Sequence, residues 1–294
     1  LNLTWGGRID RYSYLDRARF SPRVGLSYRI TGKLSWRANF GSYFQQPYFV
    51  FLSAFAQNRN LLPWRADHYV TGFSYIVSPT LRVTVEGYRK NYKDYPVSSQ
   101  FRTLTLASIG DTFDVREILF PLTSAGRGRA QGVELFVEKK FTDRWFGQMN
   151  VAFSKTRHAG LDGVMRPGSF DYTRVFNAVG GYRLTKNWEL SARVAYLTGR
   201  PYTPFDLAES TRQRRPIFDL QRVNAERLPD YARIDVRLDR TFIVRDKPLL
   251  IFIGAQNVIN RKNLASYSWD RRANTIQENE QIGLFPLIGM EWRF

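Results

Sequence analysis

The stretch DYARIDVRLDRTF, residues 230–242, contains the pattern that decides the fold. Its apolar positions are Ile234, Val236, Leu238 and Phe242, and the charged positions between them are Arg233, Asp235, Arg237 and Asp239. An alternation of period two is that of a β-strand with one apolar and one polar face, and no helix produces it. The stretch is also long enough to cross a bilayer, because a tilted transmembrane strand needs about 9 to 11 residues.

The same alternation recurs along nearly the whole chain, with no helical segments that could cover the apolar faces. Twelve segments are predicted as strands, at about 1–10, 19–30, 33–44, 65–77, 81–92, 128–141, 144–156, 171–184, 188–198, 230–242, 249–257 and a last one that ends at Phe294. A single sheet closed on itself, with its apolar side in lipid and its polar side towards a lumen, explains this best. We therefore predict an all-β fold, a transmembrane antiparallel up-and-down β-barrel.

The connections between these segments alternate in length. The short ones are 31–32, 78–80, 142–143, 185–187 and 245–247, and the long ones are 45–64, 94–127, 158–170, 199–229 and 258–282. Outer-membrane barrels have this asymmetry, with short turns on the periplasmic rim and long extracellular loops. A sandwich or jelly roll gives no reason for all long loops to lie at one end.

Composition excludes several classes of protein. The longest apolar runs, such as PLLIFIGA at 248–255, are far shorter than the roughly 20 residues of a membrane helix. An aromatic content of 15% suits the interfacial girdles of a barrel. With no cysteine, a disulfide scaffold and thiolate metal sites are excluded. No signal peptide or initiating Met is present, so we interpret Leu1 as a truncation point.

The formal charge of +18 first suggests a nucleic-acid partner. Lys and Arg are, however, spread over strands and loops rather than gathered in one helix or compact run, so we predict no nucleic-acid binding. The surplus in the loops fits an anionic neighbour, either lipopolysaccharide headgroups or an anionic ligand.

Residues for catalysis are scarce. The two histidines, His68 and His158, have no Ser and acid at the spacing of a hydrolase, and neither lies in a sequence cluster of ligands typical of a metal site. We predict no enzyme activity, no metal and no cofactor. Two alternatives stay open: a self-contained twelve-stranded outer-membrane porin or hydrolase, and a soluble β-rich binding protein.

Ligand binding is predicted in the two long loops richest in arginine and aromatic residues. Arginine offers forked donors to carboxylate, phosphate or catecholate oxygens, and Tyr and Trp offer stacking faces. The candidate ligand-binding residues are Arg200, Tyr202, Arg212, Arg214, Arg215, Tyr267, Trp269, Arg271 and Arg272. The opposing interpretation is that these charges contact lipopolysaccharide or water only.

The chain ends GMEWRF, with Met290, Trp292 and Phe294 on one face of the last strand. A terminal Phe preceded by alternating large apolar residues resembles the C-terminal assembly signal of outer-membrane barrels. The alternative is a hydrophobic chain end packed in a core.

Five segments together resemble, in family order, the C-terminal half of the barrel of TonB-dependent receptors. They are SPRVGLSY at 21–28, RADHYVTGF at 65–73, GRAQGVEL at 128–135, LTGRPYTP at 197–204 and NVIN at 257–260. The resemblance covers nearly the whole chain.

This resemblance implies an outer-membrane importer with a 22-stranded barrel and an N-terminal plug that carries a TonB-contact segment. Residues 1–294 would be the C-terminal part of that barrel, with the plug and first strands absent. The expected function is to bind a small-molecule, glycan or peptide ligand through extracellular loops and to import it with TonB-derived energy. The expected partners are that ligand, outer-membrane lipid and lipopolysaccharide, and the TonB complex through the missing region.

Overall fold

The chain folds into strands joined by short turns and long loops in a computed structural model that describes residues 1–110, 120–142 and 144–292. The strands are β1 (Asn2–Tyr12), β2 (Arg17–Arg29), β3 (Leu34–Gln45), β4 (Trp64–Ser78), β5 (Leu81–Ser98), β6 (Leu122–Thr142), β7 (Trp145–Ala159), β8 (Met165–Pro167), β9 (Arg174–Arg183), β10 (Trp188–Leu197), β11 (Pro201–Tyr202), β12 (Glu226–Arg227), β13 (Tyr231–Val244), β14 (Lys247–Gln256), β15 (Leu264–Asp270), β16 (Thr275–Glu280) and β17 (Phe285–Trp292). The helices are α1 (Phe49–Ala54) and α2 (Leu207–Gln213), with 3-10 turns at Ser13–Leu15 and Ala56–Asn60.

Twelve of these strands form one antiparallel meander, as predicted. Their order in the sheet is β1-β2-β3-β4-β5-β6-β7-β9-β10-β13-β14-β17, and the short β8 pairs with β7 outside this path. Within the described ranges no register joins β1 to β17, so the sheet has two open edges. A closed barrel of twelve strands would require that pairing.

No described helix has the length and apolar character needed to cross a membrane.

The register aligns the apolar positions of successive strands into continuous rows. One row runs across eight strands through Leu34, Tyr75, Val83, Val137, Met149, Ala178, Val194 and Ile234. The next row towards the long loops runs through Tyr28, Trp36, Phe73, Val85, Leu135, Val151, Phe176 and Tyr196. Phe73 is 50% exposed and Ile253, on the same side of the sheet, is 54% exposed. These rows form the lipid-facing surface that the alternation predicted, because no second layer of the described residues covers them.

On the polar face of β13, each of two arginines forms an ion pair with an aspartate of the same strand. Arg233 Nε donates to Asp235 at 2.6 Å, and the Arg237 guanidinium donates to Asp239 at 2.9 Å. Each pair lies two residues apart, on one face of one strand. This arrangement explains how a polar lumen face can carry four charges within seven residues.

Short and long connections lie on opposite rims, as expected for an outer-membrane barrel. Among the described residues, the short rim holds 30–33, 79–80, 144, 184–187 and 245–246, and the long rim holds 46–63, 99–110, 120–121, 160–173, 198–230 and 257–284. Two details differ from the sequence prediction. The loop predicted at 94–127 is shorter, because β5 and β6 continue past the membrane-crossing length, and residues 13–16 form a short turn on the long-loop rim.

The hydrophobic core lies among the long loops. Its buried members are Leu15, Phe51, Leu52, Leu61, Leu104, Phe120, Leu122 and Val223. Because the apolar faces of the strands point to lipid, the buried apolar side chains that pack against each other come mainly from the loops. We use the term loop cap for the described parts of 46–63, 99–121, 160–173, 198–230 and 257–284.

Candidate functional site

The candidate site begins where the chain leaves β10 through the GRPYTP segment, residues 199–204. This segment pairs with the returning chain, with Pro201 opposite Arg227 and Tyr202 opposite Glu226. A Cβ atom on Gly199 would lie 1.5 Å from the carbonyl oxygen of Leu228. Only glycine permits this approach of two backbones, so Gly199 determines how the 198–230 loop folds back.

A buried ion pair fastens this loop to its neighbour. The Arg227 guanidinium donates to the Asp171 carboxylate at 2.6 Å, to the Asp171 carbonyl at 2.7 Å and to the Gly199 carbonyl at 2.8 Å. Asp171 is 1% exposed and also accepts the Thr156 backbone N–H at 2.6 Å. The pair therefore connects the 160–173 and 198–230 loops at their bases.

The NVIN segment, residues 257–260, fixes the base of the 257–284 loop. Asn257 and Asn260 have positive φ angles of 52° and 49°, a conformation that asparagine tolerates better than most residues. The Asn257 side chain donates to the carbonyls of Arg261 and Ile282, and the Asn260 side chain accepts the N–H of Leu284. The motif thus joins the two ends of this loop.

The two loops that the sequence selected contact each other directly. Arg200 donates to the carbonyl of Ala265 at 3.0 Å, and the rings of Tyr202 and Tyr267 are 5.1 Å apart. Further along, the Phe205 ring meets Trp269 edge to face at 5.9 Å.

Beside these contacts lies a cavity of about 100 Å³ within the loop cap, which is partly open to solvent. Its lining is Leu104, Ser108, Ile109, Gly110, Ser169, Arg200, Pro201, Tyr202, Thr203, Phe205, Phe218, Leu220, Asn224, Leu228, Ser266 and Tyr267. A mostly apolar wall with a few polar groups is typical of a small-molecule site. The cavity is smaller than the few hundred Å³ that a whole ligand needs, so it can hold one end of a larger molecule.

A charged junction supports one side of the cavity. The Tyr202 hydroxyl donates to Glu226 at 2.6 Å, and Arg222 donates to the other oxygen of this carboxylate at 2.6 Å. Burial, followed by the bond to Glu226, raises the pKa of Tyr202. The bond from Tyr202, followed by that from Arg222, lowers the pKa of Glu226. Both shifts keep the phenol protonated and the carboxylate ionised.

This junction should weaken in acid. A carboxylate with a lowered pKa adds stability above its ordinary value of about 4.3, and that stability is lost as the pH falls through the lowered pKa. The raised pKa of Tyr202 has the opposite sign, so its contribution is lost only when the pH rises above about 10. Hydrogen exchange of the 198–230 loop, corrected for intrinsic rates, should be faster at pH 3 than at pH 7. The Tyr202→Phe variant should show a smaller difference; an equal difference would contradict the assignment.

The structure brings three of the nine predicted binding residues to the cavity: Arg200, Tyr202 and Tyr267. Trp269 lies beside it against Phe205. The other predicted residues lie on the exposed surface of the cap: Arg212, Arg214 and Arg215 in or just after α2, and Arg271 and Arg272 in the turn between β15 and β16.

These two exposed elements adjoin, because Asn274 donates to the carbonyl of Thr211 at 3.1 Å. Arg212 is held by Glu209, and this contact lowers the pKa of Glu209 to about 2. The predicted role of these surface arginines in ligand binding stays a prediction.

Two of the three residues of the predicted assembly signal lie within the described part of the chain. Met290 and Trp292 pair with Ile251 and Leu249 in β14, and Met290 is 74% exposed. Phe294 lies outside the described residues. The role of all three in assembly stays a prediction.

Sequence reasoning missed the apolar half of the cavity. Leu104 and Ile109 come from the 99–121 loop, and Phe205 and Phe218 stack with ring centroids 5.0 Å apart. The sequence does contain a signal for these residues. Leu104, Ile109, Phe205 and Phe218 are large apolar residues within connections that were predicted to be exposed, where such residues are not expected.

Neither histidine takes part in this site. His68 packs against Tyr43 and His158 against Tyr95, at centroid distances of 4.5 and 4.9 Å, on the polar face of the sheet. Among the described residues no group of three or more His, Cys, Asp or Glu side chains is placed to hold a metal ion.

Comparison with known proteins gives one family and a consistent set of structures. The family model described as TonB dependent receptor-like, beta-barrel matches residues 1–258. No curated protein matches the sequence.

Similar solved structures include the ferripyoverdine receptor of the outer membrane of Pseudomonas aeruginosa bound to ferripyoverdine, with a TM-score of 0.69, 13% identity, and coverage of 99% of this chain and 36% of that one. The ferric-catecholate import receptor Fiu from E. coli K12 gives a TM-score of 0.66, 15% identity, and coverage of 94% and 35%. The siderophore receptor PiuA from Acinetobacter baumannii gives 0.64, 13%, and coverage of 93% and 36%. The chain thus spans about a third of the length of these structures, and at these identities the similarity establishes the fold.

Proposed function

Because this chain belongs to the TonB-dependent receptor β-barrel family, which resides in the bacterial outer membrane and comprises receptors and transporters rather than enzymes, we propose that it forms the C-terminal part of a 22-stranded importer. The open edges at β1 and β17 support further strands on both sides of the sheet. A self-contained twelve-stranded porin or hydrolase would need β1 to pair with β17, and no such pairing is present among the described residues. In this proposal an N-terminal plug, which carries a TonB-contact segment, fills the barrel and couples import to energy.

The ligand-binding part of the proposal rests on one observation: residues from two arginine- and aromatic-rich loops converge on one cavity. Arg200 supplies a guanidinium, and Tyr202 and Tyr267 supply ring faces. This combination suits an anionic, ring-bearing end of a ligand.

The class of ligand that fits best is a ferric chelate of siderophore type. Such chelates present anionic oxygens and aromatic or flat groups, and two of the similar solved structures are a ferric-catecholate import receptor and a receptor bound to ferripyoverdine. Only one end of such a molecule would enter the cavity.

Uptake of radiolabelled iron tests this function. The full-length receptor is expressed in a Gram-negative strain without its own ferric-siderophore receptors, and a ferric tris-catecholate chelate and ferripyoverdine serve as probes. Tyr267→Ala should reduce uptake of the transported probe about tenfold, since a buried aromatic contact is lost. The matched variant Arg271→Gln/Arg272→Gln should change uptake less than twofold if the cavity is the binding site.

Two results would contradict the proposal. A larger loss in the Arg271→Gln/Arg272→Gln variant than in Tyr267→Ala would place binding on the exposed turn. No uptake of either probe by the unmodified receptor, with the protein present in the outer membrane, would exclude the ferric-chelate class.

A further inference from the structure

A histidine is buried where the 160–173 loop leaves the sheet. His158 is the second-to-last residue of β7, and only 7% of it is exposed. It lies beyond the membrane, because β7 crosses the bilayer within about 9 to 11 residues of its start at Trp145. The loop that follows folds back onto β7 as β8, which places Arg166 opposite His158.

The imidazole of His158 fills a narrow space between the wall of the sheet and this loop. Its ring lies so close to Gly128 in β6 that an added Cβ there would be 2.3 Å away. On the loop side, a Cβ added to Gly168 would lie 3.4 Å from the Nδ1 atom. The rings of Tyr92 and Tyr95 in β5 flank the imidazole at centroid distances of 5.4 and 4.9 Å. His158 thus contacts both the loop and two neighbouring strands.

The Nδ1 atom of this ring is buried and has no hydrogen-bond partner among the described residues. An imidazolium carries an N–H on both ring nitrogens. Protonation in the closed loop cap would therefore bury a charge and leave the Nδ1–H without an acceptor, and each of these costs free energy. The closed arrangement suits the neutral imidazole only.

The charged groups of the adjoining loop are engaged elsewhere. On β8, Arg166 has the same sign as an imidazolium and pairs with Asp162 at 2.7 Å. Further along the loop, Asp171 accepts from Arg227 at 2.6 Å. In the described part of the chain neither carboxylate pairs with His158.

The two strands behind the ring offer no negative charge either. β6 presents Gly128, and β5 presents the phenols of Tyr92 and Tyr95. Burial raises the pKa of both tyrosines, which keeps them neutral. Lys90, one residue pair nearer the membrane on the same face of β5, lies over the Tyr88 ring at 5.2 Å.

We propose that His158 makes the loop cap sensitive to acid: protonation of its imidazole releases the 160–173 loop from the sheet. The imidazolium regains contact with water only when this loop opens, so the proton favours the open form. Ser169 of the same loop lines the cavity, and opening would therefore also change the candidate site. The inference depends on the packing of the loop cap and not on which ligand the cavity accepts.

The pH range follows from the two forms of the loop. Burial lowers the pKa of His158 to about 4 in the closed form, whereas a histidine open to water titrates near its ordinary value of about 6.5. The closed form is therefore fully stable above about pH 6.5, loses stability as the pH falls from there, and loses no more below about pH 4. From pH 7 to pH 5 the opening equilibrium should increase about twentyfold.

Hydrogen exchange of the full-length receptor in detergent, corrected for intrinsic rates, tests this inference at pH 7, 6 and 5. The reporters are the amides of Gly168 and Ser169, which donate to the carbonyls of Thr156 and Ala107 at 3.1 and 2.9 Å. The Glu226 junction weakens only below about pH 4.3, so it does not contribute in this range.

Two variants remove the titrating group: His158→Phe keeps a planar ring, and His158→Gln keeps a neutral polar side chain. The matched control, His68→Phe, removes the other histidine of the sheet, which packs against Tyr43 in β3. Opening should increase about twentyfold from pH 7 to pH 5 in the unmodified receptor and in the control, and less than about threefold in both His158 variants. An increase below threefold in the unmodified receptor, an increase of equal size in the His158 variants, or its disappearance in His68→Phe would overturn the proposal.

Discussion

Replacing Gly199 with alanine should detach the 198–230 loop from its folded position. The added Cβ would lie 1.5 Å from the Leu228 carbonyl oxygen, and backbone on both sides cannot rotate away as a side chain could. The change would disrupt the bond from the Leu228 N–H to the Arg200 carbonyl at 3.0 Å. We expect the free energy of local opening to fall by about 2 to 4 kcal/mol.

Native-state hydrogen exchange at the Leu228 amide measures this effect. The matched control is Gly6→Ala in β1, where an added Cβ meets no atom within 4 Å. The barrel itself should still assemble in both variants, because residues 198–230 lie outside the twelve-stranded sheet and a Cβ at position 6 of β1 meets open space. Unchanged exchange in Gly199→Ala would show that this close approach does not hold the loop.

Replacing Arg227 with methionine should destabilise the loop cap by about 3 kcal/mol, because it leaves the buried Asp171 carboxylate without its guanidinium partner and with one backbone donor. This value is at the low end for a buried pair, since the Arg227 side chain is 34% exposed. The matched variant Arg222→Met removes a more exposed pair with Glu226 and should cost no more than about 1 kcal/mol.

A double-mutant cycle separates the ion pair from general loss of packing. Asp171→Asn/Arg227→Met should be less destabilised than Arg227→Met alone, because the buried negative charge is gone. Limited proteolysis of the 160–173 and 198–230 loops gives the readout. Equal sensitivity of Arg227→Met and Arg222→Met would mean that burial of Asp171 has no special cost.

The sheet could be predicted because its physics is local. A side chain on a strand has only two directions available, so the alternation at Ile234, Asp235 and Val236 determines the face of each residue without knowledge of its neighbours. The same rule identified twelve strands and the two kinds of rim. The rule did not predict the full length of β5 and β6, because these strands continue beyond the membrane, where their residues no longer alternate between apolar and polar.

The loop cap could not be predicted because its contacts are not local. Leu104 and Val223 are more than a hundred residues apart and belong to one buried cluster. Likewise, the sequence gives no sign that Arg200 contacts the carbonyl of Ala265 while Arg271 remains at the surface. Arginine and aromatic content selected two loops that meet at the cavity, but it does not show which of their side chains turn inward.

Accessibility of single spin labels along β13 tests the account most directly, and residues 1–294 contain no cysteine that would compete for the label. Labels at 234, 236 and 238 should be accessible to oxygen dissolved in lipid, and labels at 233, 235 and 237 to a water-soluble nickel chelate. Accessibility without a period of two, or with lipid contact at the charged positions, would contradict the assignment of the apolar face to the membrane.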